Sequence, residues 1–176
     1  MSEQIAINTQ GYVCYYRVST KGQAKDKADG MPWYAYQQDA CRDFLTKNNA
    51  MILDEFNEIA SGSEKTYRPE FSEAVDLCIK SGATLFAVRL DRIARSVKIF
   101  KMLELLGVKI VTIDMLDGTF DKYAKQCFYQ SLKNAAISYY DGISTIECIK
   151  TLKIVMGPVF DDLILPESCD EEFLSC

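Results

Sequence analysis

A chain of 176 residues is long enough for one domain with a real core plus an appendage. It has no histidine, and its seven cysteines (14, 41, 78, 127, 148, 169, 176) are odd in number and lack C-x-x-C spacing, which argues against a zinc site and removes Ser-His-Asp, Cys-His and His-metal chemistry. The net charge of −5 sits at the C-terminal end: taking away Asp161, Asp162, Glu167, Asp170, Glu171 and Glu172 leaves residues 1–156 at +1.

No apolar run approaches a membrane span, and the start Met1-Ser2-Glu3-Gln4 lacks a basic and then apolar leader. The expected compartment is the cytoplasm, with buried reduced thiols and no membrane partner.

Tyr12-Val13-Cys14-Tyr15-Tyr16-Arg17-Val18 reads as a buried strand, and Ser19 sits where it opens into a loop. Residues 21–33 form a polar loop. A helix follows from Tyr34 to about Asn48, with Ala40, Phe44 and Leu45 as its apolar stripe. Met51–Phe56 is a second strand, and 61–67 a loop. Arg68-Pro69-Glu70 opens the next helix, with Pro69 at or near the first helical position and Glu70 at the positive end. Phe71, Ala74, Val75, Cys78 and Ile79 are its buried face, and Ser81-Gly82 stops it. Thr84–Val88 is a third strand, as apolar as a parallel strand covered on both faces. Leu90–Arg95 leaves its C-terminal end. Val97–Leu106 is a helix, and Val108–Ile113 a fourth strand. Alternation of strand and helix predicts an α/β fold: a mostly parallel sheet of four to five strands, flanked by helices.

Three polar segments then leave strands or open helices near one edge: Arg17 with Ser19, Arg68, and Asp91 with Arg92 and Arg95. The spacing of Arg92 and Arg95 places them on one face of a helical turn. One serine, several arginines and a carboxylate without histidine suit phosphate better than acyl chemistry. Guanidinium groups recognise a phosphodiester bidentately, stabilise charge on its oxygens and favour a serine alkoxide. The plainer possibilities stay open: Ser19 capping the next helix, and Arg89, Arg92 and Arg95 as solvated charges paired with Asp91, Glu64 and Glu70.

The runs Tyr16-Arg17-Val18-Ser19-Thr20 with Gln23, Gln38-Asp39-Ala40-Cys41, Ser61-Gly62, Arg68-Pro69-Glu70-Phe71, Gly82-Ala83-Thr84-Leu85, Leu90-Asp91-Arg92-Ile93-Ala94-Arg95-Ser96 and Val111-Thr112-Ile113-Asp114-Met115 resemble the catalytic domain of the serine recombinases, the resolvases and DNA invertases. The resemblance spans about residues 11–115. It implies that Ser19 attacks a DNA phosphodiester and forms a 5′-phosphoserine link. It implies that Arg17, Arg68, Arg92 and Arg95 hold the phosphate, and that Asp91 orients arginines or serves the 3′-oxygen's proton. Gln23, Gln38 and Arg89 would position DNA or phosphate. No cofactor or metal is implied. The partners would be DNA and a second copy, as a homodimer pairing into a tetramer on DNA, or a full-length recombinase.

Departures lie further on. Lys133 and Asn134 stand where relatives carry a Glu-Arg pair on a dimerisation helix, and no arginine follows Arg95. Residues 121–165 read either as that helix, broken at Asp141-Gly142, or as a degenerate helix-turn-helix with helices over 132–140, 144–153 and 158–165. The last of these offers Asp161 and Asp162 to phosphates, which repel them. The expected layout is a resolvase-like catalytic domain over 1–120, a helical segment over 121–165 and an acidic tail over 166–176. The tail is a solvating end or a mask over the arginine site. A recombinase-derived interaction protein that does no chemistry, acting through its dimerisation surface, remains the alternative function.

Overall fold

The structure, a computed structural model, describes residues 10–19, 33–63, 65–95, 97–116 and 145–162. The readings made on Gln23, on the 21–32 loop, on 121–144 and on the acidic tail lie outside these residues.

Four parallel strands, β1 (Tyr12–Val18), β2 (Ile52–Ile59), β3 (Thr84–Ala87) and β4 (Ile110–Thr112), form a sheet in the order β2-β1-β3-β4. The helices are α1 (Trp33–Lys47), α2 (Pro69–Ser81), α3 (Leu90–Ile93), α4 (Val97–Leu105), α5 (Ile113–Leu116) and α6 (Thr145–Met156), followed by a 3-10 helix over Gly157–Asp162.

β1 is central and every residue in it is buried, because helices cover both faces. Alternation along the strand divides its side chains between two cores. Val13 and Tyr15 join Phe71 and Val75 of α2 with Ile99 and Met102 of α4. Tyr12, Cys14 and Tyr16 join Cys41 and Leu45 of α1 with Phe86 of β3. Tyr15 meets Phe71 edge-on at 5.4 Å between ring centres, and Tyr12 meets Phe86 likewise at 5.5 Å. By the same parity Arg17 belongs to the face of Val13 and Tyr15, at the sheet's C-terminal edge.

The helix ends follow local chemistry. Pro69 opens α2 with Glu70 in its first turn. Gly82 closes it in the left-handed region (φ 70°), its N–H donating to Cys78 O at 2.9 Å. Asn49 ends the α1 region with φ 52°, a conformation asparagine tolerates better than most residues.

Two expectations are corrected. Arg92 and Arg95 do not share a helical turn: α3 stops at Ile93, and Ala94 is extended (φ −157°, ψ 164°). Burying both Ile93 and Ala94 in the first core takes precedence over continuing the helix. Of the third helix expected over 158–165, the described part is a 3-10 helix, Gly157–Asp162, and 163–165 lie outside the described residues. Val155 and Met156 are fully buried among α2 and α4 residues, with Val159 and Phe160 packed against them. No helix among the described residues is long and apolar enough to cross a membrane.

Candidate active site

Arg17 is fully buried, yet each of its guanidinium nitrogens has an acceptor. Nε donates to Arg92 O at 2.9 Å, Nη1 to Ala60 O at 2.8 Å, and Nη2 to Asp91 O at 2.8 Å. Nη1 also donates to Ser19 Oγ at 3.2 Å. The carbonyls come from the exit of β2 and from α3, so the side chain fastens two loops to β1. Burial pulls the Arg17 pKa down to about 10, and the positive charges of Arg92, Arg68 and Arg95 act in the same direction. The group is therefore still a cation at neutral pH, set in a cluster of like charge.

Gly62 permits this packing. A Cβ there would lie 2.8 Å from Arg17 Nη2 and 3.1 Å from Cζ. Only glycine lets the loop after β2 run this close to the guanidinium.

The backbone of Arg17 is held too. β3 ends before it reaches this level, so part of the β1 edge lacks a strand partner beyond Cys14. Gln37 of α1 fills in: its Oε1 accepts from Arg17 N at 3.3 Å and its Nε2 donates to Arg17 O at 3.2 Å. Arg92 Nη1 adds a third bond, to Arg17 O at 3.2 Å.

Asp91 is the electrostatic hub of the turn. Its Oδ2 accepts from Arg92 Nη2 at 2.6 Å, and its Oδ1 pairs with Arg89 Nε at 3.0 Å. Burial works against its charge, but the Arg92 hydrogen bond and the charges of Arg92, Arg89 and Arg17 outweigh it and hold its pKa below the usual carboxylate value. The turn is anchored from β4's far side by Asp114, whose buried carboxylate accepts from Thr112 Oγ1 and from the Leu90 N–H at the start of α3.

Arg68 is also fully buried, and it is not saturated. Nη1 donates to Ile93 O at 2.6 Å, and the guanidinium lies over the Phe71 ring at 3.9 Å. Nε and Nη2 meet no acceptor in hydrogen-bond geometry among the described residues, and the Tyr15 hydroxyl is near enough to favour the cation. Burial lowers its pKa, opposed by Tyr15 and Glu58. Glu58 is itself buried on β2 in register with Arg17 on β1. Its Oε2 accepts from Phe71 N at 2.9 Å and from the Tyr15 hydroxyl at 3.4 Å. Burial pushes its pKa up, against the Phe71 N–H and the Arg68 charge.

The structure thus joins Ser19, Arg17, Asp91 and Arg92 by hydrogen bonds and brings Arg68 and Arg95 close enough for their charges to act on Arg17. Arg89 is half-exposed and paired with Asp91. Gln38 is elsewhere: it hydrogen-bonds the Glu55 carboxylate, which also takes Arg42 and the Tyr16 hydroxyl. Successive helix residues point about 100° apart, so only Gln37 of the pair faces Arg17. Gln37 and Glu58 were not anticipated. The signal for Glu58 was there: extending the β2 alternation past Phe56 puts it on the covered face.

Two carboxylates and several cations do not make a metal cage, and among the described residues no group of three Cys, Asp or Glu could hold a metal ion. What the arrangement brings together is a hydroxyl, an ionised carboxylate and several guanidinium groups, those of Arg17 and Arg68 buried and that of Arg92 part-buried.

No curated protein matches the chain. Among solved structures, the N-terminal catalytic domain of TP901-1 integrase is 20% identical, covering 74% of this chain and 95% of that one, with a TM-score of 0.51. The C-terminal catalytic domain of ISC1926 TnpA, an IS607-like serine recombinase, is 23% identical over 83% of this chain and 94% of that one, with a TM-score of 0.49. A resolvase family site-specific recombinase from Streptococcus pneumoniae is 19% identical over 81% and 97%, with a TM-score of 0.46. The family described as the resolvase N-terminal domain matches residues 12–139, most of the chain. The chain belongs to that family, the catalytic domains of serine recombinases.

Proposed function

We propose that the chain is a site-specific DNA recombinase that cuts and rejoins DNA through a 5′-phosphoserine on Ser19. The observation that carries this is the Arg17 Nη1 bond to Ser19 Oγ inside a cluster of arginines. Like charges on Arg92, Arg68 and Arg95 act against the Arg17 cation beside this serine, and a phosphate bound there would relieve that repulsion.

In the forward step Ser19 Oγ bonds to phosphorus and the bond to the 3′-oxygen breaks. The proton lost by the serine balances the one the 3′-oxygen takes up. One phosphodiester replaces another, so attack by a 3′-hydroxyl on the phosphoserine rejoins the strand without an outside energy source. Arg17 favours the serine oxyanion. Arg68 turns its spare Nε and Nη2 to the phosphate, where charge grows in the transition state. Arg92 and Arg95 add charge stabilisation. Asp91, held ionised by Arg92, orients the arginines rather than supplying a proton.

DNA is the substrate in this reading. A homodimer that pairs into a tetramer on two sites is the assembly it requires. A recombinase-derived interaction protein without chemistry is the second reading, favoured by the absence of arginine after Arg95 and by the acidic C-terminal end. Binding of the purified chain to generic duplex DNA separates the two. A recombinase loses affinity steeply as salt rises, by about 0.9 log units per log unit of salt for each phosphate neutralised. Undetectable binding at low salt favours the interaction protein.

A further inference from the structure

The far C-terminal helix of the described chain meets the Arg68 loop end to end. The last carbonyls of an α-helix and the first N–H groups of another both lack partners within their own helix. Here two such carbonyls of α6 are met by one backbone N–H and one side-chain hydroxyl at the start of α2. Val155 O, at the end of α6, accepts from Arg68 N at 2.9 Å. Met156 O accepts from the buried hydroxyl of Ser72 in the first turn of α2 at 2.8 Å. Pro69, between them in the junction, has no N–H to give. Arg68 makes no side-chain cap to its own helix, and its backbone (φ −130°, ψ 89°) is not that of a regular strand or helix. Its backbone is fixed by the bond to Val155 and by its carbonyl's acceptance from Ser72 N at 2.9 Å.

Gly157 completes the junction. It turns the chain off α6 with φ 56°, and a Cβ there would lie 2.5 Å from the ring of Tyr67, the residue before Arg68. Val155 and Met156 pack in the same core as Phe71, the ring that supports the Arg68 guanidinium. A helix docked only to fill space needs side chains in the core. It does not need its main chain bonded to one particular arginine.

We propose that Ser72 and Gly157 are positioning residues for Arg68: through them the C-terminal end of α6 sets the backbone from which the buried Arg68 guanidinium extends. The C-terminal segment then completes the catalytic set instead of reading DNA. The role in chemistry rests on the function proposed above, whereas the positioning itself does not.

The test uses the full chain with Ser72→Ala, Ser72→Thr and Gly157→Val. Two NMR signals of Arg68 are followed, its backbone amide exchange and its Nε–Hε resonance, with Arg17 Nε–Hε as the internal reference. In Ser72→Ala and Gly157→Val the Arg68 amide should exchange about tenfold faster or more, and its Nε–Hε signal should shift while that of Arg17 stays. Ser72→Thr, which keeps the hydroxyl, should restore both. Arg68 signals that stay at wild-type values in Ser72→Ala and Gly157→Val overturn the proposal, even where α6 amides exchange faster. In parallel, DNA-adduct yield should fall in Ser72→Ala, recover in Ser72→Thr, and be indifferent to residue 72 in an Arg68→Ala background. A wild-type chain that forms no adduct counts against the proposed reaction and leaves the NMR comparison to decide the positioning.

Discussion

Arg17 and Ser19 stand two residues apart at the exit of the central strand, and the guanidinium Nη1 of one donates to the hydroxyl oxygen of the other at 3.2 Å. The same side chain holds Ala60 O, Asp91 O and Arg92 O. Arg17 therefore holds the site's loops together, and in the proposed reaction it also supports the Ser19 oxyanion. Arg17→Lys keeps the charge but offers one nitrogen in place of three. It should lower stability by about 2–5 kcal/mol, because at least two buried carbonyls lose their donor. Urea unfolding measures that loss. Covalent adduct formation on DNA should fall about 100-fold or more in the population that remains folded.

Gly62 packs against that guanidinium, so Gly62→Ala is a milder probe of it. The new methyl group must displace Nη2 from Asp91 O, since 2.8 Å is too close for a carbon. Loss of one charge-assisted hydrogen bond corresponds to about a tenfold to hundredfold change. Adduct yield should drop by that factor while the far-ultraviolet spectrum stays that of wild type. Undiminished yield would mean that the Nη2 bond does not hold the site.

Glu58 carries a pH signature. Its folded-state pKa is raised, chiefly by burial, so the native protein holds a proton there more tightly than the unfolded chain does. The resulting stability is fully present below the unfolded-state value of about 4.3 and is lost as pH rises through the folded-state value. Asp114 shifts the same way and Asp91 the opposite way, so the useful quantity is wild type minus Glu58→Gln. Measured by urea unfolding at a series of pH values, this stability difference should fall from about pH 4 toward neutrality. A difference that is constant or rises with pH contradicts the assignment.

The adjacent glutamines give a paired test. Gln37 holds both backbone groups of Arg17, whereas Gln38 serves Glu55. Gln37→Ala leaves the Arg17 N–H without its acceptor and should reduce adduct formation about tenfold. Gln38→Ala should leave it within about twofold of wild type. Equal effects would mean that the Arg17 edge is not held from α1.

These two glutamines also show where sequence reading stopped. The sheet was legible because β1, β3 and the α2 face carry unbroken apolar patterns, and the alternation of strand and helix leaves few topologies. Ser19, Arg17, Asp91 and Arg92 could be gathered because strand exits in such sheets converge on one edge. A one-residue choice within α1 could not be settled by pattern, since Gln37 and Gln38 are chemically identical and differ only in the direction they face. Glu58 lies beyond Phe56, where the apolar pattern of the second strand stops in the sequence. The extended Ala94 depends on which neighbours bury Ile93 and Ala94, a tertiary effect. So does the junction of Val155 with Arg68, which joins residues 87 positions apart.

The most direct measurement is covalent trapping. The full chain and Ser19→Ala are incubated with nicked duplexes tiled from the DNA flanking the coding sequence, then denatured and resolved by size. The expected result is a protein–DNA adduct with the 5′-phosphate on Ser19, absent from Ser19→Ala. An adduct of equal yield in Ser19→Ala, or none from a chain that binds these duplexes at low salt, would contradict it.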